Sequence, residues 1–191
     1  AAPGCDVPAD IRDRLAAVDG MTVTELSTSA SGYRYFRLSY RQPADHDHPD
    51  GGEFQQYLTL MFRSYGAPMV LETEGYANLW RDARAELTTL LEANQLTVEH
   101  RFFATSTPVP TDWSLLTIAQ AAADHHRIVE ALKPIFTGPW ISSGHSKGGM
   151  TAVYHRRFYP GDVIGTVPYV APISFGAPDR RYVDFVANVG E

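Results

Sequence analysis

Apolar positions along this chain recur in two rhythms, and the places where one gives way to the other mark out the elements. Ile11, Leu15 and Val18 fall three to four residues apart, which predicts a short amphipathic helix over 7–18. Residues 33–40 and 54–63 are dense in Tyr, Phe, Leu and Thr, and the stretch 42–52 between them is rich in Pro, Asp and Gly. That pattern predicts a hairpin or two neighbouring strands. Residues 68–73 form a short apolar run ended by Gly75, which reads as a buried strand.

From there strand and helix alternate. Leu79, Trp80, Ala83, Leu87, Leu90 and Leu91 share one helical face, predicting a helix over 79–93, and 96–103 reads as a strand. Asp112 is placed to N-cap a long helix reaching about Leu132, with Leu115, Ile118, Ala122, Val129 and Leu132 inward and Pro134 and Gly138 closing it. A strand over 140–143, a helix over 147–159 stopped by Pro160-Gly161, and a further buried strand over 163–170 complete the series. The alternation implies an α/β fold, a mainly parallel sheet with helices on both faces. No repeat, low-complexity tract or linker divides the chain, so one domain is expected over 1–191.

Composition changes this picture little. With 44% of 191 residues hydrophobic and 20% charged, the chain is ordinary globular material. Its net charge of -6 is spread without a basic stripe, which argues against nucleic acid or an anionic membrane as partner. No apolar run approaches the roughly 20 residues of a membrane span. Ala1-Ala2-Pro3-Gly4 lacks the charged and apolar regions of a secretory signal, so none was present or it has been removed. The lone Cys5 is a free thiol or pairs with a cysteine outside this chain.

The chemistry concentrates at Gly144-His145-Ser146-Lys147-Gly148-Gly149, which fits G-x-S-x-G with a strand before it and a helix after it. At such a sharp turn a serine is strained outward, and the positions two before and two after must be small. Ser146 is therefore the expected nucleophile, and the backbone N–H of Lys147, at a helix start, an expected oxyanion donor. His145 and Lys147 read as spacers contributing backbone. A glycine-rich turn without chemistry is the alternative. The second donor is expected from the loop 72–76: the N–H of Tyr76, with Gly75 second. Glu74, at the mouth of such a site, is a candidate anchor for a substrate ammonium.

The triad of this architecture runs Ser, acid, His. After Ser146 the one histidine is His155, nine residues on. Nine helical steps turn about 900° and rise about 13 Å, so His155 faces away from the serine. Asp162, Asp179 and Asp184 follow, but an acid without its histidine completes nothing. The base and acid are expected beyond Glu191, with the last strands and a cap, in the remainder of the polypeptide or a second chain; a complete, non-catalytic relative is the competing reading. Asp45-His46-Asp47-His48 looks like a metal cluster, but adjacent residues on an extended loop rarely converge on one ion, so no metal and no organic cofactor is expected. Asp124-His125-His126, mid-helix, reads as a partly buried surface patch, with packing of a histidine against the core as the alternative.

Taken in order, several segments carry a resemblance: Tyr40-Arg41-Gln42-Pro43-Ala44-Asp45-His46, Phe54-Gln55-Gln56-Tyr57, Leu71-Glu72-Thr73-Glu74-Gly75-Tyr76, Glu99-His100-Arg101-Phe102-Phe103 with Ser106 and Pro108, Leu116-Thr117-Ile118-Ala119-Gln120-Ala121, and residues 144–149. The set resembles secreted bacterial prolyl tri/tetrapeptidyl aminopeptidases, serine peptidases of the α/β-hydrolase type, and more distantly the lysosomal prolylcarboxypeptidase group. It implies the N-terminal part of an α/β-hydrolase, here an extracellular exopeptidase that releases tri- or tetrapeptides from free N-termini with proline preference through an acyl-enzyme on Ser146. It also implies that Asp45/His46 is a structural element rather than a metal site, and it favours Cys5 bridging to a cysteine in the absent part. Gln56 departs from the pattern, which would place an arginine there. An esterase or lipase on the same fold, or a non-catalytic binding domain, are the alternatives.

Overall fold

A computed structural model describes residues 10–79 and 82–190. Seven strands form one sheet: β1 (Met21–Leu26), β2 (Arg34–Pro43), β3 (Glu53–Phe62), β4 (Met69–Thr73), β5 (Asn94–Val98), β6 (Trp140–His145) and β7 (Gly165–Tyr169). Their spatial order is β1-β2-β3-β5-β4-β6-β7. The first three pairings are antiparallel and the last three parallel, so the sheet is mixed. The expected hairpin is β2–β3, in register from Arg34 opposite Phe62 to Pro43 opposite Glu53.

Strand alternation sorts the two faces. Phe36, Leu38, Leu58, Leu60, Met69, Leu71, Leu96 and Val98 point to one side, where they meet Ile11 and Leu15 of α1 (Ile11–Ala16) and Ile128, Val129 and Leu132 of α3 (Ile118–Leu132). Each such side chain, fully buried, contributes roughly 1.5–3 kcal/mol. Helix α4 (Lys147–Phe158) packs beside α3 on β4, β6 and β7. The other face is polar at its centre and carries α2 (Glu86–Leu90), whose Thr88 hydroxyl donates to Gln95 of β5 at 2.8 Å.

Several elements differ from expectation, each for a local reason. The helix expected over 79–93 forms only at α2; Trp80 and Arg81 lie outside the described residues, and Leu79 and Leu90 are exposed. It winds where Gln95 Oε1 accepts the Ala85 N–H at 2.7 Å, so a tertiary contact sets the start. Strand β5 stops at Val98 because residues 99–106 fold back on the Glu99 carboxylate, which accepts from the Ser106 N–H at 3.1 Å and hydroxyl at 2.7 Å. Helix α3 is capped by Thr117; Asp112 caps a single 3-10 turn at Trp113–Leu115, so Leu115 and Ile118 are not core residues. β1 and α5 (Arg180–Asn188) were not foreseen, the first because its exposed Thr and Glu break the apolar signal. β7 is no buried strand: it borders the sheet among the described residues, leaving Val167 and Pro168 exposed. The part of the first expected helix at 7–9 lies outside the described residues, as does Cys5.

The expected surface patch on α3 is instead a buried ionic centre. Asp124 and Arg101 are both fully buried and paired twice, Nε to Oδ2 and Nη2 to Oδ1, each 2.7 Å. Arg101 Nη1 also donates to Ala44 O at 3.0 Å and Leu115 O at 3.1 Å. His46 Nε2 lies 2.7 Å from Asp124 Oδ1, and Gln120 joins its amide to Asp45 at 2.7 Å. The Asp45/His46 pair thus ties the β2–β3 loop to α3. Burial alone would raise the Asp124 carboxyl, but Arg101 and His46 overcome it and hold the group below the usual range. Gln56, buried, accepts from Gln42 at 3.0 Å and donates to Glu99 O at 2.9 Å, so the position without an arginine is filled by a satisfied amide.

Removing one member of a buried pair strands the other charge. Asp124→Ala is expected to cost about 3–5 kcal/mol, read as a lower urea midpoint with an unchanged slope.

Candidate active site

Strand β6 ends and α4 begins at Ser146, and the chain turns there in a conformation few L-residues adopt. Ser146 has φ 53° and ψ -122°, and its side chain is exposed. Such a backbone costs about 1–3 kcal/mol and persists only where surroundings enforce it. The enforcement is visible. The Ser146 N–H donates to Tyr169 O at 3.0 Å, and its carbonyl accepts from Met150 N at 3.1 Å, opening the helix.

The small residues around it are dictated by contact. A Cβ on Gly144 would lie 2.6 Å from Gly148 and from Thr73 O, and one on Gly148 would run into Thr73 O. Gly75 is equally constrained: a Cβ there would sit 2.5 Å from Lys147 Cβ and 2.7 Å from Gly148 N. The loop after β4 is therefore pressed against the first residues of α4. This brings the expected donor segment, Gly75 and Tyr76, beside Lys147. The Tyr76 ring is exposed and meets Phe103 edge-on at 5.2 Å, while its carbonyl accepts from His100 N at 3.0 Å.

Both presumed spacers do more than hold backbone. Lys147 Nζ donates to Gly75 O at 2.5 Å and lies 4.5 Å from the Phe103 ring centre and 5.0 Å from that of Tyr76. Its partial burial lowers its pKa. The ammonium thus clamps the β4 loop to the turn. His145 stacks on Tyr169, with ring centres 4.6 Å apart and planes 8° off parallel, and its Nδ1 lies 3.3 Å from Glu72 Oε1. Glu72 was a detectable signal, a carboxylate inside the apolar run 69–73. Glu74 is half-buried and borders, with Glu72, Thr59, Gln95 and Thr97, a polar cavity of about 290 Å³ on the α2 face. An apolar cleft of about 500 Å³ opens on the other side, between α3, α4 and residues 174–177, with His100 and Lys147 in its wall.

No described histidine hydrogen-bonds the Ser146 hydroxyl. His155 is fully buried, 2.8 Å from Asp162 Oδ2, and His126 reaches the same oxygen at 2.9 Å. Asp162 therefore joins α3 to α4. Asp179 caps α5 and holds Arg181, and Asp184 is exposed on that helix.

With this geometry in view, the sequence matches, over residues 5–191, the family described as PS-10 peptidase S37. The chain belongs to that family. A prolyl tri/tetrapeptidyl aminopeptidase from Streptomyces mobaraensis is 46% identical over 184 residues, 96% of this chain and 38% of the relative. The lysosomal Pro-X carboxypeptidase of Mus musculus is 28% identical over 151 residues, 73% of this chain and 29% of that protein. The S37 chain thus spans well under half the length of either relative. Among solved structures, acetyl xylan esterase 1 from Thermoanaerobacterium sp. aligns with TM-score 0.57 at 14% identity, covering 93% of this chain and 64% of its own. The peroxisomal α/β-hydrolase Lpx1 of Saccharomyces cerevisiae aligns at 0.50 and 13%, covering 78% and 48%. At such identities the likeness speaks to fold alone, and the fold is that of the N-terminal part of an α/β-hydrolase.

Two outcomes follow. Gly75→Ala forces backbone apart at the turn and is expected to cost about 1–3 kcal/mol, seen as a lower thermal midpoint. Burial, with the Lys147 charge adding, pushes His100 down to about 4, and burial, with His155 adding, pushes His125 down to about 3. Their unfolded counterparts titrate near 6.5. The unfolded chain therefore takes up protons first, and stability present above about pH 6.5 drains away as pH falls towards 4. Urea midpoints measured from pH 7 to 4.5 should fall, and less steeply in His125→Gln.

Proposed function

We propose that this chain is the nucleophile-bearing part of a secreted serine exopeptidase that releases tri- or tetrapeptides from free N-termini, with proline preferred at the cleavage site. The observation that carries the reading is the exposed, positive-φ Ser146 on a strand-to-helix turn, in a chain 46% identical to a prolyl tri/tetrapeptidyl aminopeptidase. Ser146 attacks the scissile carbonyl and forms an acyl-enzyme. The N–H groups of Lys147 and Tyr76, with Gly75 as second choice, stabilise the oxyanion, and the close packing of Gly75 on Lys147 supports their convergence.

The general base and its acid come from the remainder of the polypeptide or a second chain. Two things support this: the engagement of His155 with Asp162, and the share of the relative that this chain spans. Glu74 anchors the substrate ammonium from the rim of the polar cavity. The partner is a peptide, and neither nucleic acid nor a membrane; among the described residues no helix is long and apolar enough to cross one.

In the full-length enzyme, Ser146→Ala should abolish cleavage of a proline-terminated tripeptide chromogenic substrate. Acetylating the amine of that substrate should lower kcat/KM by about 10–100-fold, the loss of a charged anchor. Turnover of a short-chain p-nitrophenyl ester alone, indifferent to the amine, would instead mark an esterase. Absence of a fluorophosphonate adduct at Ser146 would mark a non-catalytic domain.

A further inference from the structure

Glu72 is an anomaly in the sheet. It is 8% exposed, in a strand where all five residues are buried, and its Oε2 has no hydrogen-bond partner. A carboxylate so placed costs stability, and burial holds its pKa above the ordinary range. Its other oxygen lies 3.3 Å from Nδ1 of His145, the residue immediately before Ser146, and the Ser143 side chain across the sheet is a second polar neighbour. The His145 ring is held twice: at its edge by Glu72 and on its face by Tyr169. Tyr169 is itself fixed, since its hydroxyl donates to Glu86 of α2 at 2.8 Å and its carbonyl receives the Ser146 N–H. One side of the strained turn is thereby pinned through side chains on β4, β7 and α2.

We infer that Glu72 is a positioning residue for Ser146, acting through His145, which it holds against Tyr169 so that the peptide entering the turn cannot rotate. This rests on the reading of Ser146 as nucleophile and extends it. The physical case is one of opposed requirements. A purely structural role would favour a neutral side chain here, because the position is buried and flanked across the sheet by Thr97 and Ser143, neither of which offsets a charge. The acid makes sense where its value lies in orienting the next shell of the turn, and a displacement of about 1 Å at a reacting group costs up to about 100-fold in rate. The groups facing the pair are Tyr169 from β7, Glu86 beyond it on α2, Ser143 from β6, and Glu74 and Arg84 along the same cavity wall.

The test separates orientation from stability. In the full-length enzyme, Glu72→Leu removes the acceptor and also the buried charge, so the thermal midpoint at pH 7 should stay level or rise. The raised carboxyl pKa places the penalty above the unfolded value near 4.5, so any gain should vanish by about pH 4. At the same time kcat for the peptide substrate should fall about 10–100-fold with KM within about threefold. Glu72→Gln, which keeps an acceptor for His145, should recover most of the loss. His145→Ala should reproduce the fall, and the double variant should fall no further than either single one. The rate of Ser146 modification by a fluorophosphonate should track kcat throughout.

A Glu72→Leu enzyme within twofold of wild type in kcat overturns the proposal, as does a loss carried wholly by KM or multiplicative losses in the double variant. Failure of the peptidase reading looks different. Wild-type enzyme would then modify at Ser146 yet leave the peptide intact, and the modification rates would still decide the role of Glu72. A wild-type Ser146 that takes no adduct removes both.

Discussion

The buried pair between Arg101 and Asp124 is the constraint on which the rest of the site depends. Two unit charges removed from water are tolerated only with complete compensation, and here every element that meets around them supplies part of it. The β2–β3 loop brings His46 and the Ala44 carbonyl, α3 brings Asp124 and Gln120, and the segment after β5 brings Arg101 itself. Once Arg101 is fixed, so are its neighbours in sequence. His100 donates its N–H to the Tyr76 carbonyl, Glu99 accepts the Asn78 N–H at 2.9 Å, and Phe103 braces the Tyr76 ring. The loop that lies against the serine turn is thus held from behind by a salt bridge on another helix.

The front of that loop is held by glycine and lysine. Gly75 permits an approach no side chain would allow, and Lys147 closes it with a hydrogen bond to the Gly75 carbonyl. The two arms of the turn are therefore secured differently. The arm after Ser146 is clamped to the β4 loop by a cation seated on two rings. The arm before it is stacked on Tyr169 at the sheet border. A strained φ survives where such contacts over-determine it, which is the physical content of the G-x-S-x-G pattern here.

Much of this was legible in the sequence, and the gaps have identifiable causes. Positions 144–149 announced the turn because the requirement for small residues falls at fixed spacing around Ser146, even though β4, through Thr73 O, enforces part of it. The strands with alternating or continuous apolar residues, such as 54–62 and 69–73, were read for the same reason. What escaped depends on distant partners. Thr117 displaced Asp112 as cap because an intervening 3-10 turn used the aspartate first. The α2 start is set by Gln95, ten residues away in the next strand. Asp124 looked like surface because nothing in its neighbourhood along the chain announces Arg101. His145 and Lys147 read as spacers along the chain because side-chain direction at a left-handed turn cannot be inferred from periodicity.

Two of the buried acids, Asp124 on α3 and Glu72 on β4, make an instructive contrast. Asp124 is fully satisfied by an arginine fork and a histidine, its carboxyl held below the usual range, and its burial serves architecture. Glu72 is half satisfied, its carboxyl held above that range, and it touches the residue next to Ser146. If burial of charge were tolerated here simply for want of a better residue, the two would resemble each other. They differ in sign of shift, in completeness of partners and in distance along the chain from the strained turn. On the positioning role proposed for Glu72, incomplete compensation beside the strained serine is the expected result where geometry at the turn, rather than stability, sets the choice of side chain.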